Sequence, residues 1–172
     1  MDIDLFPPVR TLMLSVEPLD FVELEQFRYF WRLGERHGDL PAEALDRIHL
    51  LSEGKAREVD EIIRVSDCSV IWESSRQIDA ETRDATLVRD ILNGDLLASD
   101  DIQVAMSYDR STALVMSVGI LCRYWRDFCY PGSDDIVIYP FDGSWILAYD
   151  HEECFVLRRR AAPAALGQKP SV

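Results

Sequence analysis

The stretch Ile-Val-Ile-Tyr-Pro-Phe-Asp-Gly-Ser-Trp-Ile-Leu-Ala-Tyr-Asp, residues 136–150, decides the fold class. Apolar, β-rich runs at its two ends flank Asp142-Gly143, a dipeptide that supplies the positive φ angles a tight hairpin requires. A third β-rich run, residues 155–158, follows an acidic turn at residues 150–153. The C-terminal part of the chain is therefore predicted to form a three-stranded antiparallel meander.

The segment before this stretch carries the clearest helical pattern in the chain. Between residues 112 and 128, apolar side chains recur at steps of three and four: Leu114, Val118, Leu121, Trp125 and Phe128. Pro131-Gly132 ends the pattern, because proline lacks a backbone donor. We predict an α+β fold, in which a small antiparallel sheet, the C-terminal three-strand meander, packs against this central helix with N-terminal helices around it.

The first half of the chain is predicted to be mainly helical. Ser52 can cap a helix over residues 53–65, and residues 68–72 resemble a buried strand. Residues 21–33 fit both a helix and a strand, and we favour the helix. Residues 1–160 are predicted to form a single α+β domain. Residues 161–172, rich in Ala and Pro, are predicted to form a flexible C-terminal tail.

The charge of the chain limits its partners. Asp and Glu number 31 against 18 Lys and Arg, a formal net charge of −13. Such a surface repels phosphate backbones and anionic lipid, so direct binding of nucleic acid or membrane is disfavoured. It attracts basic proteins and accelerates their encounter. Acidity also keeps many proteins soluble without any binding role, and both interpretations stay open.

The sequence predicts a cytoplasmic protein with reduced thiols. No apolar run reaches the roughly 18–20 residues that span a bilayer. The first four residues, Met1-Asp2-Ile3-Asp4, are acidic, whereas a secretory signal begins with positive charge. The four cysteines are widely separated in a chain large enough to fold without disulfides.

Signatures of catalysis are missing from the sequence. It contains no GxGxxG, GxxxxGK[ST] or GxSxG motif. His151 lies in an acidic segment, but Phe155 stands where a metalloprotease helix needs its second histidine. His151 with Cys154, Cys122 and Cys129 could supply zinc ligands, although the close Cys-x-x-Cys spacing is absent. We predict no enzyme, no cofactor and no metal, and keep a metal-dependent hydrolase centred on His151 as an alternative.

Acidic residues concentrate around the C-terminal hairpins and form the predicted binding surface. Turns at one end of a small sheet would project these side chains into solvent as a negative edge, and aromatic residues among them are typical of interface hot spots. Turns are polar in any protein and aromatic residues often fill cores, so an ordinary structural role remains the alternative. The predicted contact residues are Asp134, Asp135, Asp142, Tyr149, Asp150, Glu152 and Glu153.

Two segments in the last third of the chain carry a family resemblance. Residues 125–135 read Trp-Arg-Asp-Phe-Cys-Tyr-Pro-Gly-Ser-Asp-Asp, and residues 145–155 read Trp-Ile-Leu-Ala-Tyr-Asp-His-Glu-Glu-Cys-Phe. This pattern resembles small bacterial immunity proteins of polymorphic or contact-delivered toxin systems. The resemblance implies a scaffold that binds a toxin, and it transfers no binding residue to this chain.

Charge, motifs and resemblance lead to one functional hypothesis. The protein is predicted to be an immunity protein that neutralises a cognate bacterial toxin, with its acidic surface occluding the active site. The partner is expected to carry a basic cleft, because toxins that act on nucleic acids or nucleotides must hold anions. The alternative without catalysis is an acidic phage- or plasmid-encoded inhibitor that mimics nucleic acid.

Overall fold

One antiparallel sheet organises the computed structural model, which describes residues 13–33, 40–70, 72–80, 85–95 and 102–161. Within these ranges the sheet has eight strands, in the order β1-β2-β5-β4-β6-β7-β8-β3. Their bounds are β1 Phe21–Val22, β2 His49–Leu51, β3 Trp72–Asp79, β4 Gln103–Asp109, β5 Thr112–Ser117, β6 Ile136–Pro140, β7 Trp145–Asp150 and β8 Cys154–Arg160. The C-terminal strands occupy the middle of the sheet and the N-terminal strands border it.

Five α-helices accompany the sheet in the described ranges: α1 Phe30–Leu33, α2 Ala42–Leu45, α3 Glu53–Ser69, α4 Ala85–Asp95 and α5 Val118–Phe128. Serine residues cap the N-termini of α3 and α5. A serine hydroxyl can accept a backbone N–H that has no partner in the first turn of a helix. Ser52 Oγ accepts from the Lys55 amide at 3.3 Å and begins α3. Ser117 Oγ accepts from the Ile120 amide at 3.4 Å and begins α5. Two 3-10 turns lie before α1, at Pro18–Asp20 and Leu24–Gln26.

The helices cover both faces of the sheet and create two apolar cores. On one face, Ala56, Val59 and Ile63 of α3 pack against inward side chains of the central strands. On the other face, α4 and α5 pack with α1 over a larger core that includes the fully buried Leu121 and Phe128. Consecutive residues of a strand point to opposite faces, so β4 and β5 contribute to both cores.

The predicted fold class is wrong in the size and position of the sheet. The meander exists, since Ile136 pairs with Tyr149 and Tyr149 with Phe155. It supplies three of the eight strands in the described residues, however, and does not form a small sheet of its own. The strands that were missed include β1 and β2, which have two and three residues. Strands this short are too brief to show an alternating pattern.

The predicted helix over residues 112–128 is wrong in its first third. Residues 112–117 form β5, in which every residue is buried. A strand covered on both faces is apolar throughout and loses the alternation that distinguishes it from a helix. The apolar stripe therefore continued from the strand into α5 without a visible boundary. The N-cap at Ser117 marks the true start of the helix.

Other predictions had mixed outcomes. The helix begun by Ser52 is confirmed and extends to Ser69. The predicted strand over residues 68–72 is therefore wrong at residues 68–70; Trp72 begins β3, and Ile71 lies outside the described residues. Residues 21–33 form a short strand, a 3-10 turn and α1 instead of one helix. The predicted tail lies outside the described residues, apart from Ala161. No helix in the described part of the chain is long and apolar enough to cross a membrane.

Candidate functional site

A buried arginine connects α1 to the loop that precedes β6. The Arg32 side chain is only 5% exposed and forms two parallel bonds to Asp134. Nη1 donates to Oδ2 at 2.6 Å, and Nη2 donates to Oδ1 at 2.8 Å. This two-bond geometry is the strongest form of ion pair between these side chains. It joins residues separated by 102 positions in the sequence.

Four aromatic rings surround the guanidinium of Arg32. Its central carbon lies 4.5 Å from the ring centre of Tyr29, 5.0 Å from Trp31, 5.2 Å from Tyr108 and 4.7 Å from Tyr130. A cation over an aromatic face is attracted by the ring quadrupole, and the attraction strengthens when water is excluded. We call Arg32, Asp134 and these four rings the arginine box.

The arginine box is electrostatically balanced. Burial opposes the charge of Arg32, but the hydrogen bond and charge of Asp134 outweigh it, and the pKa of Arg32 is raised. Burial raises the pKa of Tyr108 far above its ordinary value, with a further contribution from Cys129. Asp134 Oδ2 also accepts the backbone N–H of Tyr130 at 2.8 Å. The Arg32–Asp134 pair joins α1 to the loop before β6, and we call this junction the clamp.

The outer side of this clamp presents exposed aromatic side chains. Phe30 is 51% exposed and Trp31 is 38% exposed. The Trp31 ring meets Tyr130 edge-on, with ring centres 5.4 Å apart. Large aromatic groups held rigidly at a protein surface are the usual anchors of protein interfaces.

Acidic residues follow the loop that Trp31 contacts through Tyr130. Asp135 directly follows the clamped Asp134, and its Oδ1 lies 3.0 Å from Nδ1 of His151. Both side chains are exposed. The hydrogen bond and the charge of Asp135 raise the pKa of His151, and the same hydrogen bond lowers the pKa of Asp135. With the exposed Glu152, these groups complete what we call the aromatic–acidic surface: Phe30, Trp31, Tyr130, Asp135, His151 and Glu152.

The seven predicted contact residues differ in their exposure and in their structural roles. Asp134 and Tyr149 are 8% and 1% exposed, so neither side chain can form part of a contact surface in this conformation. Asp150 accepts the backbone N–H groups of Glu152 and Cys154, at 3.1 and 3.0 Å, and thereby shapes the β7–β8 turn. Glu153 occupies that turn with a φ of 58°.

Asp142 lies at the opposite end of the sheet from the other predicted acids. Consecutive turns of an antiparallel meander alternate between the two ends, and Asp142 belongs to the β6–β7 turn. A six-residue strand separates the two turns by about 20 Å. The prediction that all these acids share one end is therefore wrong for Asp142.

Comparison with known proteins gave no match, neither to a family model nor to a curated protein or a solved structure. The resemblance to immunity proteins stays a prediction.

The proposed zinc ligands do not converge. Across the described ranges, no three His, Cys, Asp or Glu side chains are placed to hold a metal ion. Cys122 and Cys129 are buried, and burial raises the pKa of the Cys122 thiol to about 12. Cys154 Sγ donates to the carbonyl oxygen of Phe155 at 3.7 Å. His151 contacts Asp135 at the surface instead of these thiols.

Sequence reasoning missed Arg32 and its exposed neighbours. The available signal was the run Phe27 to Trp31, which places four aromatic residues in a five-residue segment. One helix face or one strand face cannot bury all of them, so some had to reach the surface. The pairing of Arg32 with Asp134 left no local signal, because nothing near either residue indicates the other.

Proposed function

We propose that this protein binds a cognate bacterial toxin directly and neutralises it, with the aromatic–acidic surface covering a basic active-site cleft. The observation that carries the proposal is the exposed ring of Trp31, which contacts Tyr130 in the loop that carries Asp134 and Asp135, next to the buried Arg32–Asp134 pair. Binding energy in protein interfaces concentrates in such aromatic anchors.

Rigidity favours binding at this surface. A contact surface that is already ordered loses less side-chain entropy on association. Arg32 connects α1 to the loop before β6, and Tyr130 of that loop contacts Trp31. Trp31 and the loop that carries Asp135 are thus held in one arrangement before any partner arrives.

Charge favours a basic partner. The net charge of −13 speeds the encounter with a positive surface. Asp135 and Glu152 are exposed carboxylates beside the aromatic anchors, where they can pair with lysine or arginine at the rim of a cleft. The chain would then compete with the anionic substrate of the toxin for the same cleft.

The test of the proposal uses the protein encoded by the gene immediately upstream of the gene for this chain. Bacteria that express the upstream protein alone should stop growing, and co-expression of this chain should restore growth. Purified together, the two should form a stoichiometric complex. The proposal is refuted if the protein from the upstream gene does not inhibit growth, or if this chain does not bind it.

Variants then locate the contact surface. Trp31→Ala should weaken the complex by about 30-fold or more, the loss expected for a hot spot of about 2 kcal/mol. Leu87→Ala is the matched control, because Leu87 is a large apolar residue on α4 that is 47% exposed. The double change Asp135→Asn and Glu152→Gln should mainly slow association and reduce its salt dependence. Melting temperatures of all variants show whether a loss of binding reflects loss of folding. Equal affinity of the Trp31 and Leu87 variants would exclude this surface.

A further inference from the structure

A basic cleft lies between α2 and the first half of α5, away from the aromatic–acidic surface. Glu43, Ala44 and Arg47 line one side, and Ile120, Arg123 and Tyr124 line the other. Its cavity volume is about 100 Å³. The cleft is found at the end of the sheet where β5 ends and α5 begins. Asp135 and His151 lie at the end where β5 begins.

The two arginines of this cleft differ from the others in the described part of the chain. Most arginines there bond to a carboxylate, as Arg64 does to Glu61. Arg126, also on α5, packs over the Trp125 ring. The guanidinium groups of Arg47 and Arg123 have neither an ion pair nor a ring contact within the described ranges. In a chain with 31 acidic and 18 basic residues, two arginines without an ion pair in the described ranges line the same cleft.

We propose that this cleft binds a small phosphate dianion, either inorganic phosphate or the phosphate group of a monoester. Guanidinium groups match the geometry of phosphate oxygens and bind them through paired N–H donors. Two such groups carry two positive charges, which a dianion neutralises and a single carboxylate does not. The proposal is independent of toxin binding and concerns a different surface.

The composition of the cleft supports a bound molecule. Ala44 and Ile120 are buried and give it an apolar floor. Gly119, in the first turn of α5, also lines it and leaves the backbone accessible because no side chain intervenes.

The acidity of the whole protein does not exclude an anion here. At physiological ionic strength, charges more than about 8 Å apart at the surface are largely screened. The acid that matters locally is Glu43, which lines the same cleft. It opposes the arginines, so its removal should strengthen phosphate binding.

The test is a titration of the full chain at constant ionic strength, with chloride replaced by inorganic phosphate and, separately, by adenosine monophosphate. The Gly119 amide and the Arg123 Nε–H should shift saturably in NMR spectra with either probe. Tighter binding of the monophosphate would identify an ester as the natural ligand class, and equal binding would identify free phosphate. Acetate at the same ionic strength should produce no saturable shift.

Three substitutions and one control decide the outcome. Arg123→Gln and Arg47→Gln should each weaken phosphate binding about 10-fold or more, and Glu43→Gln should strengthen it about threefold. Arg126→Gln is the control, because it removes an exposed arginine from the same helix but outside the cleft. No saturable shift at Gly119 with either probe, or an equal loss of affinity in the Arg123 and Arg126 variants, would overturn the proposal. All four positions are exposed, so folding should be unaffected.

Discussion

Removal of either partner of the Arg32–Asp134 pair should strongly destabilise the protein. The pair is nearly solvent-free, with side chains 5% and 8% exposed. Asp134→Asn leaves a buried guanidinium without its counter-ion, and Arg32→Met leaves a buried carboxylate. Each change should lower the free energy of unfolding by about 3–5 kcal/mol, the cost of a buried charge without a partner. For a domain of this size the melting temperature should fall by roughly 6–20 °C.

The double variant Arg32→Met/Asp134→Asn separates pairing from packing. Replacing both charges removes the unpaired ion, so the double variant should lose much less stability than the two single losses combined. Urea unfolding gives the three free energies and an interaction energy of at least about 2 kcal/mol is expected. Arg57→Met is the matched control, since Arg57 and Glu53 form an exposed pair on α3. Its loss should stay below about 1 kcal/mol. Single losses as small as that of the control would refute the reasoning.

Three further predictions concern local chemistry. In an NMR titration His151 should show a raised pKa, and Asp135→Asn should return that pKa towards the ordinary range. The stability that this pair contributes should disappear as the pH rises through the raised pKa of His151, and also as the pH falls through the lowered pKa of Asp135. A thiol reagent should label Cys68 rapidly in the native protein and the three buried cysteines only after unfolding, and rapid labelling of a second thiol would contradict the fold. Glu153→Asn should raise the free energy of unfolding by up to about 1 kcal/mol, because Asn tolerates the left-handed backbone at φ 58° better than Glu, and an unchanged urea midpoint would count against strain there.

Local signals predicted part of the fold well. The Asp142-Gly143 hairpin is confirmed, with Gly143 at a φ of 67°. The third strand of the meander and the Ser52 cap are confirmed as well. These features depend on residues close together in the sequence, where turn and capping preferences act directly.

Long-range packing determined the strands that the sequence did not predict. β5 is apolar on both faces because helices cover both sides of the sheet at that point, and no local pattern reveals such double coverage. The two-residue strand β1 exists because it pairs with β2, and β2 because it pairs with β5.

The candidate surface was also predicted only where local signals determine it. Asp135 and Glu152 were predicted from turn composition and are exposed. Asp134 was predicted by the same reasoning but is buried, since its partner Arg32 arrives from the other end of the chain. Sequence spacing does not indicate which turn residue will pair with a buried charged side chain from a distant segment.

The strand order has a consequence for how this protein is made. The central five strands, β5-β4-β6-β7-β8, come from one continuous segment, Gln103 to Arg160, whereas β1, β2 and β3 attach to its two edges. During synthesis the edge strands leave the ribosome first, before the strands that they will border exist. β1 pairs with β2, and β2 gains its partner β5 once Ser117 has been added, but β3 has no partner until β8 has been made. This delay exposes β3 to pairing with other chains. A chaperone that shields β3 during translation would therefore reduce mispairing of this strand.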